Sequence, residues 1–160
     1  MLKMTVRVTT QPIDFAPLVE SVRSSKSGAV VLFLGTVRDL SDGKSVAWLD
    51  YEAYPGMAER ELARIVAEAN ARWRLHDARV LHRFGRLELG DVAVAVVTAG
   101  SHRSEAFDAA RWIMDEIKKT VPIWKREQWS DGSSTWSHPE TTAVAPVSGR
   151  EDVHERGTHR

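Results

Sequence analysis

Two lysines seven residues apart, Lys118 and Lys125, flank Pro122 in the stretch KKTVPIWKRE. An ammonium group offers counter-charge to an anion, a proton for general acid–base work, or stabilisation of a developing oxyanion. The neighbouring Lys119 follows Asp115 by four residues, an ordinary acid-then-base helical pair. Lys118 instead follows Met114 and Phe107 on the flank of an apolar stripe, with Asp115 three residues back as its nearest partner. The commoner fate of such a lysine is a packed stem and a wet head. The sharper alternative is a compact positive pocket. Pro122 forbids helical continuation and pushes Val121 towards an extended conformation, so a strand after it would begin at a corner. On that strand Ile123 and Lys125 share one face, and Trp124 and Arg126 the other.

A second pair, His102 and Arg103, stands in the first turn of the same helix. A helix N-terminus carries partial positive charge, so acids belong there and bases do not. The two bases are either solvated surface groups or, with the free backbone N–H groups, an anion site for a phosphate or carboxylate. Arg38 leaves the end of an apolar strand and says little alone.

These residues need elements to hold them. Ala106, Ala110, Ile113 and Ile117 recur at a 4-3-4 spacing that predicts a helix from about Ser101 to the Lys118-Lys119 pair, with Ser101 as its cap and Phe107 and Met114 widening its apolar face. Upstream, residues 4–9 alternate weakly as a first strand, and Ile13 to Arg23 carries a short helical stripe of Phe15, Leu18, Val19 and Val22. Gly28 to Arg38 is a continuous apolar run expected to be a strand buried on both faces, with Gly35 marking a bulge or close approach. Asp42-Gly43 signals a hairpin into a strand over Ser45 to Tyr54, ended by Pro55-Gly56. Met57 to Trp73 is the clearest helix and reads as scaffold. Ala78–Phe84 and Asp91–Ala99 are two more strands about a Gly85–Gly90 turn; His82 and Arg83 sit in the first, and a lone strand histidine is more often packed or solvated than a ligand. After Trp129, SDGSSTW reads as a hairpin-like turn. The order β-α-β-β-α-β-β-α-β predicts an α+β domain over residues 1–136, a mostly antiparallel sheet with three main helices packed on it. A polar tail, 137–160, is expected to lack fixed structure.

The whole chain narrows the chemistry. Lys and Arg number 22, Asp and Glu 22, so no global field recruits nucleic acid or an anionic membrane, and any basic site is local. No apolar run of membrane-spanning length occurs and MLKMTVRVTT lacks a signal-peptide core, so a cytoplasmic protein is expected. There is no cysteine, which removes disulfides, thiolate metal sites, a thiol nucleophile and any persulfide carried on this chain. Six histidines form no H-x-x-x-H pair, so no metal is expected. No dinucleotide, Walker A or nucleophile-elbow motif calls for a cofactor.

Five stretches, FLGTVRD (Phe33–Asp39), LDYEAYPGMAE (Leu49–Glu59), HRFGRLELGD (His82–Asp91), SHRSEAFDA (Ser101–Ala109) and KKTVPIWKRE (Lys118–Glu127), come in an order and at separations that resemble the large, catalytic subunit of molybdopterin synthase. The resemblance covers roughly Gly28 to Trp136. It implies an α/β hammerhead-type domain that forms a homodimer, with one small ubiquitin-like sulfur-carrier subunit at each end, a heterotetramer in all. The carrier's C-terminal Gly-Gly tail, charged as a thiocarboxylate, would thread into the large subunit. There it would supply the two dithiolene sulfurs that turn cyclic pyranopterin monophosphate (precursor Z) into molybdopterin. By matching motif, Lys118 and Lys125 resemble the catalytic lysines. Arg38, His102 and Arg103 resemble the group that binds the cyclic phosphate, with Arg126 a further candidate. A cysteine-free enzyme cannot hold the sulfur itself, so its donor must arrive on a partner. In the family the segment past the final Trp often carries a basic residue that reaches a neighbouring site; here SHPETT follows Trp136, so either His138 substitutes or that contribution is absent. Two readings from other classes compete: a domain sensing a phosphorylated metabolite, and a domain that docks a partner's tail by strand addition. A sensor has no need of two lysines at one corner.

Overall fold

The computed structural model describes residues 6–137, which form β1 (Val6–Thr9), α1 (Phe15–Val22), β2 (Ala29–Thr36), β3 (Leu40–Ser41), β4 (Lys44–Ala53), α2 (Pro55–Trp73), β5 (Asp77–Arg83), β6 (Gly85–Leu87), β7 (Val92–Gly100), α3 (Arg103–Thr120), β8 (Ile123–Trp129) and β9 (Ser134–Ser137). Two sheets result. One has the order β1-β5-β7-β2, the other β3-β4-β8-β9 with β6 also paired to β4. Among the described residues only β1 and β5 run parallel; the remaining pairs are antiparallel.

Strand β7 is the spine of the first sheet. Its residues alternate across the sheet: Val94 and Val96 join Leu62 and Ile65 of α2 and Ile113 and Ile117 of α3, while Ala95, Val97 and Ala99 meet Leu18 and Val22 of α1. That is the period-2 geometry of a strand covered on both faces. The apolar run in β2 had promised the same, but β2 pairs only with β7 and is an edge strand, with Phe33 exposed. Its apolar residues are partly covered rather than buried, because no strand continues the sheet beyond it among the described residues.

The second sheet rests on β4 and β8, paired from Val46 with Trp129 to Ala53 with Ile123. A third apolar cluster, Val37, Val46, Leu49, Leu87, Ala93 and Trp129, joins the two sheets. Asp42 and Gly43 both have positive φ, 48° and 76°, the two-residue hairpin loop that their types favour. Pro55 does more than end β4: it opens α2 at the first helical position, where its missing N–H costs nothing. Strand β6, three residues within the expected Gly85–Gly90 turn, was not foreseen; it is too short to show a periodicity.

Helix α3 buries Ala106, Ala110, Ile113 and Ile117 as its spacing predicts. Two details differ. Phe107 is 61% exposed, since it stands about 90° from the centre of that stripe, which widens towards Ala109 instead. Ser101 is not the cap: His102 holds that position without a side-chain bond, and the Ser101 hydroxyl lies 3.0 Å from His76 Nε2. Ser137, expected to begin the tail, is the last residue of β9 and pairs with Lys125. The rest of the expected tail, His138 included, and Met4 and Thr5 of the first expected strand lie outside the described residues. No described helix is long and apolar enough to cross a membrane.

Candidate functional site

The corner after α3 forms as its residues require. Val121 is buried and extended, with ψ 128°, and its N–H still reaches the Ile117 carbonyl oxygen at 3.2 Å. Pro122 follows, and β8 begins at Ile123. Lys118, in the last turn of α3 where cations complement the helix dipole, thus stands four residues before the proline that turns the chain into β8. Along β8, Ile123, Lys125 and Glu127 point to one side and Trp124 and Arg126 to the other, as the alternation predicts.

Lys118 and Lys125 line one cleft of about 770 Å³, together with Arg38 from the end of β2, Tyr51 of β4 and His82 of β5. Gly35 also lines it, at the bulge where the β2–β7 register shifts; a methyl there would stand 2.7 Å from Val94 Cγ1. Lys125 Nζ lies 3.2 Å from Glu127 Oε1, and Glu127 is only 7% exposed. Among the described residues neither Lys118 nor Arg38 has an acidic partner within ion-pair distance. Lys119, the ordinary member of the lysine pair, is held by Glu116 at 3.2 Å rather than by Asp115. The cleft thus concentrates three cations against one carboxylate, which suits a visiting anion.

Two neutral groups complete the wall. Burial lowers the His82 imidazole from 6.5 to about 4. Its Nδ1 is 2.9 Å from the Arg83 carbonyl oxygen, which can only accept, so Nδ1 carries the proton. Tyr51 meets the ring edge-on, with centroids 5.5 Å apart and planes at 74°. Burial, and then the Glu127 carboxylate, push the Tyr51 hydroxyl up to about 12.

The other sequence candidates lie elsewhere. Arg126 turns away from the cleft to Asp50, 2.6 Å distant, and its guanidinium lies 5.1 Å from the Trp136 ring centroid. His102 and Arg103 are exposed at the opposite end of α3, about 22 Å from Lys118 along the helix axis. Sequence reasoning passed over Glu127, although a residue two beyond Lys125 on a strand must share its face. It treated Tyr51 and His82 as ordinary strand residues, and nothing local distinguishes them. Among the described residues no group of three or more metal-ligating side chains occurs.

The family described as MoaE protein matches residues 8–120. The molybdopterin synthase catalytic subunit of Halalkalibacterium halodurans is 41% identical over 140 residues, covering 83% of this chain and 90% of that protein. The corresponding subunit of Pyrococcus abyssi is 46% identical over 134 residues, 82% of this chain and 90% of that one. The crystal structure of molybdopterin synthase from Staphylococcus aureus superposes with a TM-score of 0.79 at 36% identity, over 86% of this chain and 98% of that chain. A complex of subunits 1 and 2 of molybdopterin-converting factor from Helicobacter pylori shares the fold, with a TM-score of 0.68 at 18% identity over 86% of this chain and 92% of that chain.

Proposed function

The chain belongs to the MoaE family of molybdopterin synthase catalytic subunits, which convert precursor Z to molybdopterin in molybdenum-cofactor biosynthesis, and on that premise we propose that the cleft at the α3–β8 corner is where it does so. The sulfur arrives as the C-terminal thiocarboxylate of a small ubiquitin-like carrier. The known assembly of subunits 1 and 2 in the Helicobacter pylori factor supports such a partner. A cytoplasmic site of action, where a biosynthetic enzyme meets both substrates, is part of the same proposal.

One observation carries this reading: Lys118 and Lys125, from two elements, line a single cleft with Arg38 in a chain of zero net formal charge. Thiocarboxylate and cyclic phosphate are both anions, and bringing them together requires fixed positive charge. Arg38 offers a planar fork to the phosphate. As sulfur bonds to the pterin side chain it displaces an oxygen there, lost as water or as the freed arm of the cyclic phosphate, and the carrier's carbonyl carbon then exchanges its C–S bond for a C–O bond to water. Negative charge then builds on the tetrahedral oxygen and on the departing sulfur. Lys118, without an acidic partner among the described residues, stabilises that charge; Lys125, steadied by Glu127, supplies or removes the proton.

His102 and Arg103 belong to the same proposal only through a second copy of the chain. A rigid helix keeps them about 22 Å from Lys118, so they serve a lysine cleft only if it is the partner's, in a homodimer. The test of the whole is to incubate the chain with a thiocarboxylated carrier and precursor Z and look for the dithiolene. Product formation that disappears in K118A and K125A is expected; unimpaired turnover in both would overturn the assignment. A carrier that binds without any product forming would favour the docking reading.

A further inference from the structure

Arg38, Lys118 and Lys125 account for the anionic parts of the two substrates, but not for the pterin ring, which is uncharged and presents a lactam edge of one C=O beside one N–H. The cleft holds two neutral polar groups that no step above uses. His82 is 6% exposed and its Nδ1–H is committed to the Arg83 carbonyl oxygen. The bare lone pair of the neutral ring is therefore on Nε2. Tyr51 packs edge-on against that ring and lines the same cleft.

We propose that His82 and Tyr51 form a substrate-orienting pair for the heterocycle, with His82 Nε2 accepting an N–H from the pterin edge and the Tyr51 hydroxyl donating to its carbonyl oxygen. The inference rests on the reaction proposed above and adds the part of the site that reads the ring. The pair must be neutral for this. A doubly protonated imidazole would have no acceptor left, and a phenolate no donor. Burial keeps His82 unprotonated, and burial with the Glu127 carboxylate keeps Tyr51 protonated. Lys125 and Glu127, which line the same cleft, are paired with each other. A site built to hydrogen-bond one edge also rejects rings that lack it, because its own groups would be left unpaired.

The test is steady-state kinetics of the full chain with its thiocarboxylated carrier and precursor Z, for wild type, K118A, Y51F, H82F and H82Q. Y51F and H82F should each raise KM for precursor Z by about tenfold while KM for the carrier stays within about twofold. H82Q, whose amide oxygen restores an acceptor, should recover most of the loss. If H82F does not fold, Y51F, which deletes one oxygen and keeps the ring packing, still decides. An unchanged KM for precursor Z in Y51F, or the two KM values rising together, would overturn the pair's role. A wild-type enzyme that forms no product, or a K118A variant as fast as wild type, would instead sink the underlying reaction, and this inference with it.

Discussion

Glu127 Oε1 lies 3.2 Å from Lys125 Nζ, two residues along the same face of β8, so the strand's own pleat sets the orientation of one cleft lysine. The carboxylate is buried and the ammonium half-covered, a setting in which a charge-assisted bond fixes a side chain rather than merely decorating it. The substitution E127Q keeps the shape and removes the charge. We expect kcat to fall about tenfold with little change in either KM, since Lys125 loses its anchor but the anion sites remain. Rapid-quench or steady-state product assays would check it, and an unchanged kcat would show that Lys125 is positioned by other means.

Arg38 and Arg126 differ in what holds them. Arg38 lines the cleft with no acidic partner among the described residues, whereas Arg126 is tied to Asp50 at 2.6 Å on the other side of β8. R38A should therefore raise KM for precursor Z, more strongly at low salt than at high. R126A should leave that KM unchanged and lower stability by about 1 kcal/mol in urea melts. The reverse pattern would place the phosphate on the other face of the strand.

A site completed across two chains makes a sharper prediction. K118A and R103A should each abolish or nearly abolish turnover alone. Mixed after reversible dissociation, they should recover about a quarter of wild-type activity, because half the dimers then hold one intact site of two. No recovery on mixing, with mixed dimers demonstrated by mass, would mean that Arg103 serves its own chain or none.

The buried imidazole makes stability depend on pH in a known direction. His82 is lowered from 6.5 to about 4 in the folded chain, so between those values the unfolded chain binds the extra proton. Stability is then lost as pH falls through that window and is fully present above 6.5, with a contribution of up to about 3 kcal/mol. The stability of wild type relative to H82Q in urea melts should be constant above pH 6.5 and fall as pH drops from 6.5 towards 4. A constant difference across that range would contradict the assignment.

Gly35 offers a purely steric test. A Cβ there would sit 2.7 Å from Val94 Cγ1, inside the contact distance of two carbons, with β7 rigidly paired behind it. G35A should cost about 1–3 kcal/mol of stability, and the displaced bulge should also weaken precursor Z binding through the cleft wall it shares.

Much of this molecule is written in short-range pattern. The 4-3-4 stripe of α3, the Asp42-Gly43 hairpin and the corner at Pro122 each depend on residues within a few positions of one another, where backbone geometry alone decides the outcome. That Lys118 and Lys125 line one cleft is only half legible there: Pro122 makes the corner, but a solvated Lys118 is the commoner outcome of the same pattern. Tertiary structure decided the rest. Only the pairing of sheets brings Tyr51 and His82, 31 residues apart in the chain, onto one wall with Lys125. Only sheet order makes β7 rather than β2 the central strand, and only the choice of face gives Arg38 to the cleft and Arg126 to Asp50. Side-chain periodicity says which residues share a face; it carries no information about which other element that face will meet, because that is set by the packing of distant apolar surfaces against one another.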